Sequence, residues 1–157
     1  MNFLAWIEAS GYADWIRVSA WGYPTMITLH AFGLAVMVGL SVVLSLRVLG
    51  FFKAIPYTSL DRLLKVAWIG FIVNTISGSS LFAAQATTYV HNVQFLLKMS
   101  LVFLGAIFVA WLQAIVKDAG SWNIETGAPG LARFVASAAI VAWFGATVTG
   151  RLIAYLS

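Results

Sequence analysis

Cysteine is absent from the 157 residues of this chain. Disulfides, thiolate metal sites and cysteine nucleophiles are therefore excluded. Charge is also scarce, because charged residues make up only 9% of the sequence while hydrophobic residues make up 62%. Together with a mean hydropathy of +0.94, this composition lies far outside that of soluble domains. The chain is predicted to be an integral membrane protein.

The signatures of common soluble enzymes are missing as well. The sequence contains no Walker loop, dinucleotide fingerprint, HExxH motif or nucleophile elbow. Its basic residues are scattered singly, so the net charge of +4 does not indicate nucleic-acid binding. The first residues lack the basic start of a secretory signal, and the N-terminus is expected to be mature. The chain is not expected to be an enzyme on its own.

Four apolar segments are long enough to cross a membrane. A span needs about 20 apolar residues to cross about 30 Å of hydrocarbon, and the segments cover roughly 25–49, 63–84, 95–116 and 131–156. Their uninterrupted apolar character favours helices over the alternating strands of a barrel. The predicted fold is an all-α integral membrane protein, a four-transmembrane-helix bundle that forms one membrane domain over residues 1–157.

An N-terminal interfacial amphipathic segment, residues 1–22, is predicted to precede the bundle. It mixes Trp and Tyr rings with Glu8, Asp14 and Arg17, so it is too polar to span but suits the headgroup level. One or two short helices, broken near Gly11, are expected. The segment and the loop between spans two and three form either a docking surface for an outward-facing protein partner or a lipid float.

His30 is the residue of the first span that most needs an explanation. It lies six residues past Pro24, which places it about 9 Å along the helix from the interface. Small or soft residues share its face at helical spacing, namely Met26, Gly33, Met37 and Ser41. A polar ring at this depth needs a partner. The candidates are a helix neighbour such as Asn74, a haem iron or other metal, and a quinone oxygen.

Other side chains extend this hypothesis to a predicted site. The cofactor-binding residues are predicted to be His30, His91, Lys98 and Arg151. The two histidines are expected on one side of the membrane, so at most one bis-histidine haem b is possible. Met26 with His30, joined by His91, offers ligands for copper. Lys98 and Arg151 suit haem propionates, lipid headgroups or the acids of a partner.

Several stretches resemble a bacterial four-helix integral membrane family that is catalogued only as a domain of unknown function. The stretches are "YPTMITLHAFGLAVMVG", "LRVLG", "TISGSSLFAAQATTYVHNVQFLLKMSL" and "GRLIAY". The chain departs from the family pattern at Ile27 and Ser45, where the family tends to have acids. The segment through Tyr89, Asn92 and Lys98 is also similar to copper-resistance protein D type membrane proteins, a resemblance that implies copper handling.

Three functions stay open at this point. The first is a small accessory or anchoring subunit of a bacterial membrane complex, redox-linked through a haem b or quinone site at His30. The second is a copper-handling or transport module that uses Met26, His30 and His91. The third is a purely structural subunit, for which no cofactor is needed. A homo-oligomer is compatible with each of them.

The basic residues predict how the bundle is oriented in the bacterial inner membrane. Six of them lie at the ends joined by the first and third loops, and three lie toward the other side. Because basic loops stay in the cytoplasm, both termini and the second loop are predicted to be outside. In intact cells, an impermeant thiol reagent should label Thr87→Cys and spare Ser59→Cys. The opposite labelling pattern would reverse the orientation.

Overall fold

The computed structural model describes residues 3–117 and 127–156, and gives side chains as far as residue 153. Its helices are α1 (Phe3–Glu8), α2 (Gly11–Val18), α3 (Gly22–Val48), α4 (Tyr57–Ala84), α5 (Ala86–Tyr89), α6 (Val93–Val116) and α7 (Gly130–Leu156). No strand occurs in these ranges. The four long helices are apolar enough to cross a membrane. The predicted all-α, four-span fold and its two short N-terminal helices are therefore confirmed.

The long helices form two closely packed pairs, α3 with α4 and α6 with α7, and the pairs meet mainly through α3 and α7. Both chain termini and the α4–α6 connection lie at one end of the bundle, which we call the terminal end. The other end is the loop end. Fully buried Met37, Leu44, Leu112 and Trp143 form part of a core shared by α3, α6 and α7.

Helix α4 begins earlier than the sequence pattern indicates. Extended backbone at Pro56 (φ −70°, ψ 143°) leads directly into it, so Asp61 lies within the helix rather than before the span. The Asp61 carboxylate accepts a hydrogen bond of 3.0 Å from Gln113 Nε2, and Trp68 Nε1 donates to Gln113 Oε1 at 3.0 Å. This network joins α4 to α6 near the loop end. The third loop falls mostly on residues 118–126, outside the described ranges.

Helices α3 and α4 approach each other closely where glycines face each other. A Cβ added to Gly33 would lie 2.6 Å from the Gly70 carbonyl oxygen and 2.7 Å from the Asn74 amide nitrogen. One added to Gly70 would lie 3.0 Å from the Gly33 oxygen. Membrane helices gain little from burying apolar surface against each other, so close packing of small residues is a main source of their association.

The N-terminal segment packs onto the terminal end of this helix pair. Ala13 and Ile16 of α2 are fully buried, and a Cβ added to Gly22 would lie 2.5 Å from the Trp15 carbonyl oxygen. The Tyr12 hydroxyl shares a hydrogen bond of 2.8 Å with Ser80 Oγ of α4. Aromatic side chains on the opposite side remain exposed, namely Phe3, Trp6, Trp15 and Trp21. The segment is thus amphipathic, with one face on protein and the other available to headgroups.

A polar cluster fastens the segment to the α4–α5 junction, and we call it the N-terminal latch: Glu8, Arg17, Ala84 and Thr87. Glu8 Oε2 accepts hydrogen bonds from the Thr87 amide (2.9 Å) and hydroxyl (2.6 Å). Arg17 Nη1 donates to the Ala84 carbonyl at 3.2 Å and lies 3.8 Å from Glu8 Oε1. The acid therefore meets the start of α5 and the base meets the end of α4, as the helix dipoles favour.

The glycine contact predicts an asymmetric response to added methyl groups. Gly33→Ala should destabilise the bundle by about 1–3 kcal/mol, since its new Cβ meets backbone atoms that can move only if the helices separate. Gly39→Ala, on the same helix, is the matched control because nothing lies within 4 Å of its added Cβ. Thermal unfolding in detergent should show a lower Tm only for Gly33→Ala. Equal Tm values for the two variants would contradict the tight contact.

The N-terminal latch should open in acid. Hydrogen bonds from Thr87, more than the Arg17 charge, lower the pKa of Glu8 below its ordinary value of 4.5. Docking is therefore favoured above that value, and this contribution is lost as the pH falls through the lower pKa of the docked carboxyl. A spin label at Ala9→Cys should become mobile over this range. Glu8→Gln should remove the transition and Asp14→Asn should keep it. An unchanged profile in Glu8→Gln would exclude Glu8 as its origin.

Candidate functional site

His30 and Asn74 form a reciprocal pair between α3 and α4. The His30 ring places Nδ1 3.0 Å from the Asn74 backbone carbonyl oxygen. In return, Asn74 Nδ2 donates to the His30 backbone carbonyl at 2.8 Å. Ser77 Oγ lies 3.5 Å from His30 Nδ1 and donates to the Val73 carbonyl at 2.7 Å. Of the candidate partners of His30, the helix neighbour Asn74 is therefore in contact with it, through both its backbone carbonyl and its side-chain amide.

This pair determines which nitrogen of His30 is free. A carbonyl oxygen only accepts hydrogen bonds, so the neutral ring that binds Asn74 O carries its proton on Nδ1. The lone pair then resides on Nε2, for which no hydrogen bond is found within the described residues. Ser45 Oγ and Trp143 Nε1 are the buried polar atoms without a partner in those residues. His30 Nε2 is not among them, so this nitrogen is not completely buried.

Glycines set the position of the His30 ring. A Cβ added to Gly78 would lie 2.9 Å from His30 Cε1 and 3.2 Å from Nδ1, so this edge of the ring packs directly on the α4 backbone. The predicted face of α3 is partly confirmed, because Gly33, Met37 and Ser41 are buried. Met26, one turn toward the terminal end, is half-buried. The ring is thus fixed by backbone contacts on one side and is not completely buried at Nε2.

Lys98 lies in the first turns of α6 at a similar depth. The side chain of Asn92 caps this helix by accepting a 2.9 Å hydrogen bond from the Phe95 amide. The Phe95 ring stacks against Phe82 and Tyr89 at centroid distances of 5.5 and 5.3 Å. These contacts fix the start of α6, and Lys98 follows one turn later.

The Lys98 side chain lies against Gly150 of α7. A Cβ added to Gly150 would be 3.3 Å from Lys98 Cδ and Cε, and 3.6 Å from Nζ. Lys98 is half-buried and is close enough to interact electrostatically with His30. Within the residues that the structure describes, its ammonium forms neither a hydrogen bond nor an ion pair. The two readings of Lys98, a side chain that extends to the interface and one that binds an acceptor group, therefore both stay open.

Helix α2 covers the site from the terminal end. The bond between Tyr12 and Ser80 lies about one turn beyond Ser77, which contacts His30. The buried Ala13 and Ile16 fill the space between α2 and the ends of α3 and α4. Direct entry from water at this end is therefore obstructed.

The other predicted site residues are less closely associated with His30. His91 is exposed in the turn before α6, and Arg151 is exposed on α7. No hydrogen bond between His91 and His30 is present in the described part of the chain. Arg17 is already engaged in the N-terminal latch. No group of three or more His, Cys, Asp and Glu side chains suited to a metal ion occurs in residues 3–117 and 127–156.

Sequence reasoning identified His30, Asn74 and Lys98 but missed that Asn74 bonds His30 in both directions and that Lys98 lies against Gly150 of α7. The glycines at positions 78 and 150 were the available signal, because each leaves room for one of the polar side chains on a neighbouring helix. The partners of Glu8 and Arg17 could not be identified without knowing how the N-terminal segment folds back. The site that results contains a fixed acceptor nitrogen and a cationic donor, both inside the membrane-spanning bundle.

Comparison with known proteins places the chain in a family. A family model described as "Family of unknown function (DUF6644)" matches residues 3–156, and the chain belongs to this family. No curated protein and no solved structure matches it. The similarity to copper-resistance protein D type proteins therefore stays an expectation.

Proposed function

We propose that this member of the DUF6644 family is an accessory membrane subunit that holds the head group of a quinone between His30 and Lys98. The observation that carries the proposal is the His30 ring, fixed through Nδ1 on the Asn74 carbonyl with Nε2 not completely buried. The nearby Lys98 ammonium offers hydrogen-bond donors to a ligand oxygen. Both groups suit a small polar head on an apolar tail.

The surroundings of the site favour a lipid-soluble ligand over one from water. The four long helices are predominantly apolar, and α2 covers the terminal end above His30. A soluble metabolite would have to pass this cover, whereas a quinone reaches the side of the bundle by diffusing in the bilayer. The proposed ligand therefore matches both the chemistry of the site and its access.

Haem b has weaker support at the same position. A ligating histidine commonly donates its other ring N–H to a carbonyl, and His30 satisfies this condition. However, a bis-histidine haem also needs His91, which is exposed in the turn before α6. The bundle offers no other histidine, because the chain contains only two.

Copper is the alternative that Met26 and His30 suggested. Against it, the Lys98 ammonium lies within electrostatic range of His30 and would repel a metal cation at Nε2. A copper site would also need the exposed His91 to join Met26 and His30. The charge near His30 therefore favours an oxygen acceptor over a metal.

The proposed setting is the bacterial inner membrane with the terminal end outside. The basic residues concentrated toward the loop end support this orientation. The exposed rings of α1 and α2 would then lie at the outer headgroup level, beside the site where an outward-facing partner of the complex would dock. The N-terminal latch joins α1 and α2 to the α4–α5 junction, so the exposed rings and the helix that covers His30 keep a fixed position relative to each other.

Quinone binding by the purified protein tests the proposal. Isothermal titration calorimetry should detect binding of a short-tailed quinone analogue. His30→Ala removes a buried hydrogen bond to the ligand and Lys98→Met removes one from a charged donor, so each should weaken binding by about tenfold or more. His91→Ala is the matched control and should bind normally. Helical circular dichroism should be unchanged in all variants.

The same preparation separates the alternatives. A Soret absorption band that is lost in His30→Ala would replace the quinone with haem, and stoichiometric copper that is lost in Met26→Leu would replace it with a metal. If the unmodified protein binds none of the three, the His30–Asn74 pair only joins helices and the subunit is structural.

A further inference from the structure

We infer that the His30 site binds the reduced, hydroxyl-bearing quinol in preference to the oxidised quinone. The inference rests on the proposed function, because it concerns which form of that ligand the site selects. It follows from the hydrogen-bonding character of His30 Nε2 and from the way in which the structure fixes it.

The two forms of the ligand differ in what their oxygens can do. A quinone oxygen is a carbonyl and only accepts hydrogen bonds, whereas a quinol oxygen is a hydroxyl and can also donate. His30 Nε2 accepts in the tautomer that binds the Asn74 carbonyl. A quinol hydroxyl can therefore donate a hydrogen bond to Nε2. A quinone carbonyl would instead place a lone pair of its oxygen against the lone pair of Nε2.

The tautomer cannot be exchanged without loss. Moving the proton to Nε2 would leave Nδ1 as an acceptor 3.0 Å from the Asn74 carbonyl oxygen, which is also an acceptor. The Ser77 hydroxyl, 3.5 Å from Nδ1, could donate to that nitrogen only by giving up its shorter contacts with the carbonyl oxygens of Val73 (2.7 Å) and Asn74 (3.1 Å). Leaving buried acceptors unpaired costs free energy comparable to a hydrogen bond. The ring is thus held as an acceptor by a backbone atom.

Lys98 contributes to affinity without choosing between the forms. Its ammonium is a donor only, and both a carbonyl and a hydroxyl oxygen can accept from it. Its aliphatic part lies against Gly150 on α7, so its position does not depend on His30. The two residues therefore have separable effects, which an experiment can distinguish.

The test compares the dissociation constants of one short-tailed analogue in its oxidised and chemically reduced forms, under argon, with the unmodified protein in detergent. The quinol should bind at least about tenfold more tightly, since the quinone leaves Nε2 and its own oxygen unpaired. For a two-electron couple this ratio corresponds to a rise of about 30 mV in the midpoint potential of the bound ligand. Redox titration of the bound analogue gives an independent reading.

Variants test whether His30 is the residue that causes the preference for quinol over quinone. His30→Gln supplies an amide that can donate or accept, so it should bind both forms with similar constants. Lys98→Met should weaken both forms equally and keep their ratio, and His91→Ala should change neither.

Equal binding of both forms by the unmodified protein would overturn the inference but leave the proposed function standing. Binding of neither form would overturn the proposed function itself. Because the comparison on the unmodified protein needs no variant, misfolding of His30→Gln would not affect it.

Discussion

The contact between the α3 and α4 backbones at Gly33 and Gly70 is the constraint on which the rest of the structure depends. In a bilayer the lipid tails are as apolar as the helices, so association requires close packing and interhelical hydrogen bonds. With the backbones this near, the Asn74 amide reaches the His30 carbonyl and the His30 ring reaches the Asn74 carbonyl. A side chain at either glycine would separate the groups that define the site.

The same contact determines what the N-terminal segment can do. Because α3 and α4 end side by side, α2 can bury Ala13 and Ile16 across both of them. The N-terminal latch then satisfies one carbonyl group at the end of α4, that of Ala84, and one amide group at the start of α5, that of Thr87, both of a kind that helix ends leave unpaired. A segment that composition alone describes as a float at the membrane surface is therefore held in one position above His30.

The helices of this fold follow from composition, whereas their mutual arrangement does not. Apolar length predicts four spans, but helix α4 extends beyond its apolar segment to Tyr57, and Asp61 within this extension accepts a hydrogen bond from Gln113. Helical spacing correctly assigned Gly33, Met37 and Ser41 to the interior face. It could not reveal that Lys98 lies over Gly150, because that contact depends on the rotation of α6 and α7 about their own axes.

A backbone carbonyl as the partner of His30 has a consequence that a side-chain partner would not have. A carboxylate or amide beside an imidazole can be replaced or rotated, and the preferred tautomer then changes with it. Within the described residues, no carboxylate is hydrogen-bonded to the His30 ring. The Asn74 carbonyl belongs to the α4 backbone, and its position is fixed by the glycine contact one turn away. The acceptor character of Nε2 is therefore a property of how two helices pack, and any ligand that this nitrogen recognises is selected by the fold itself.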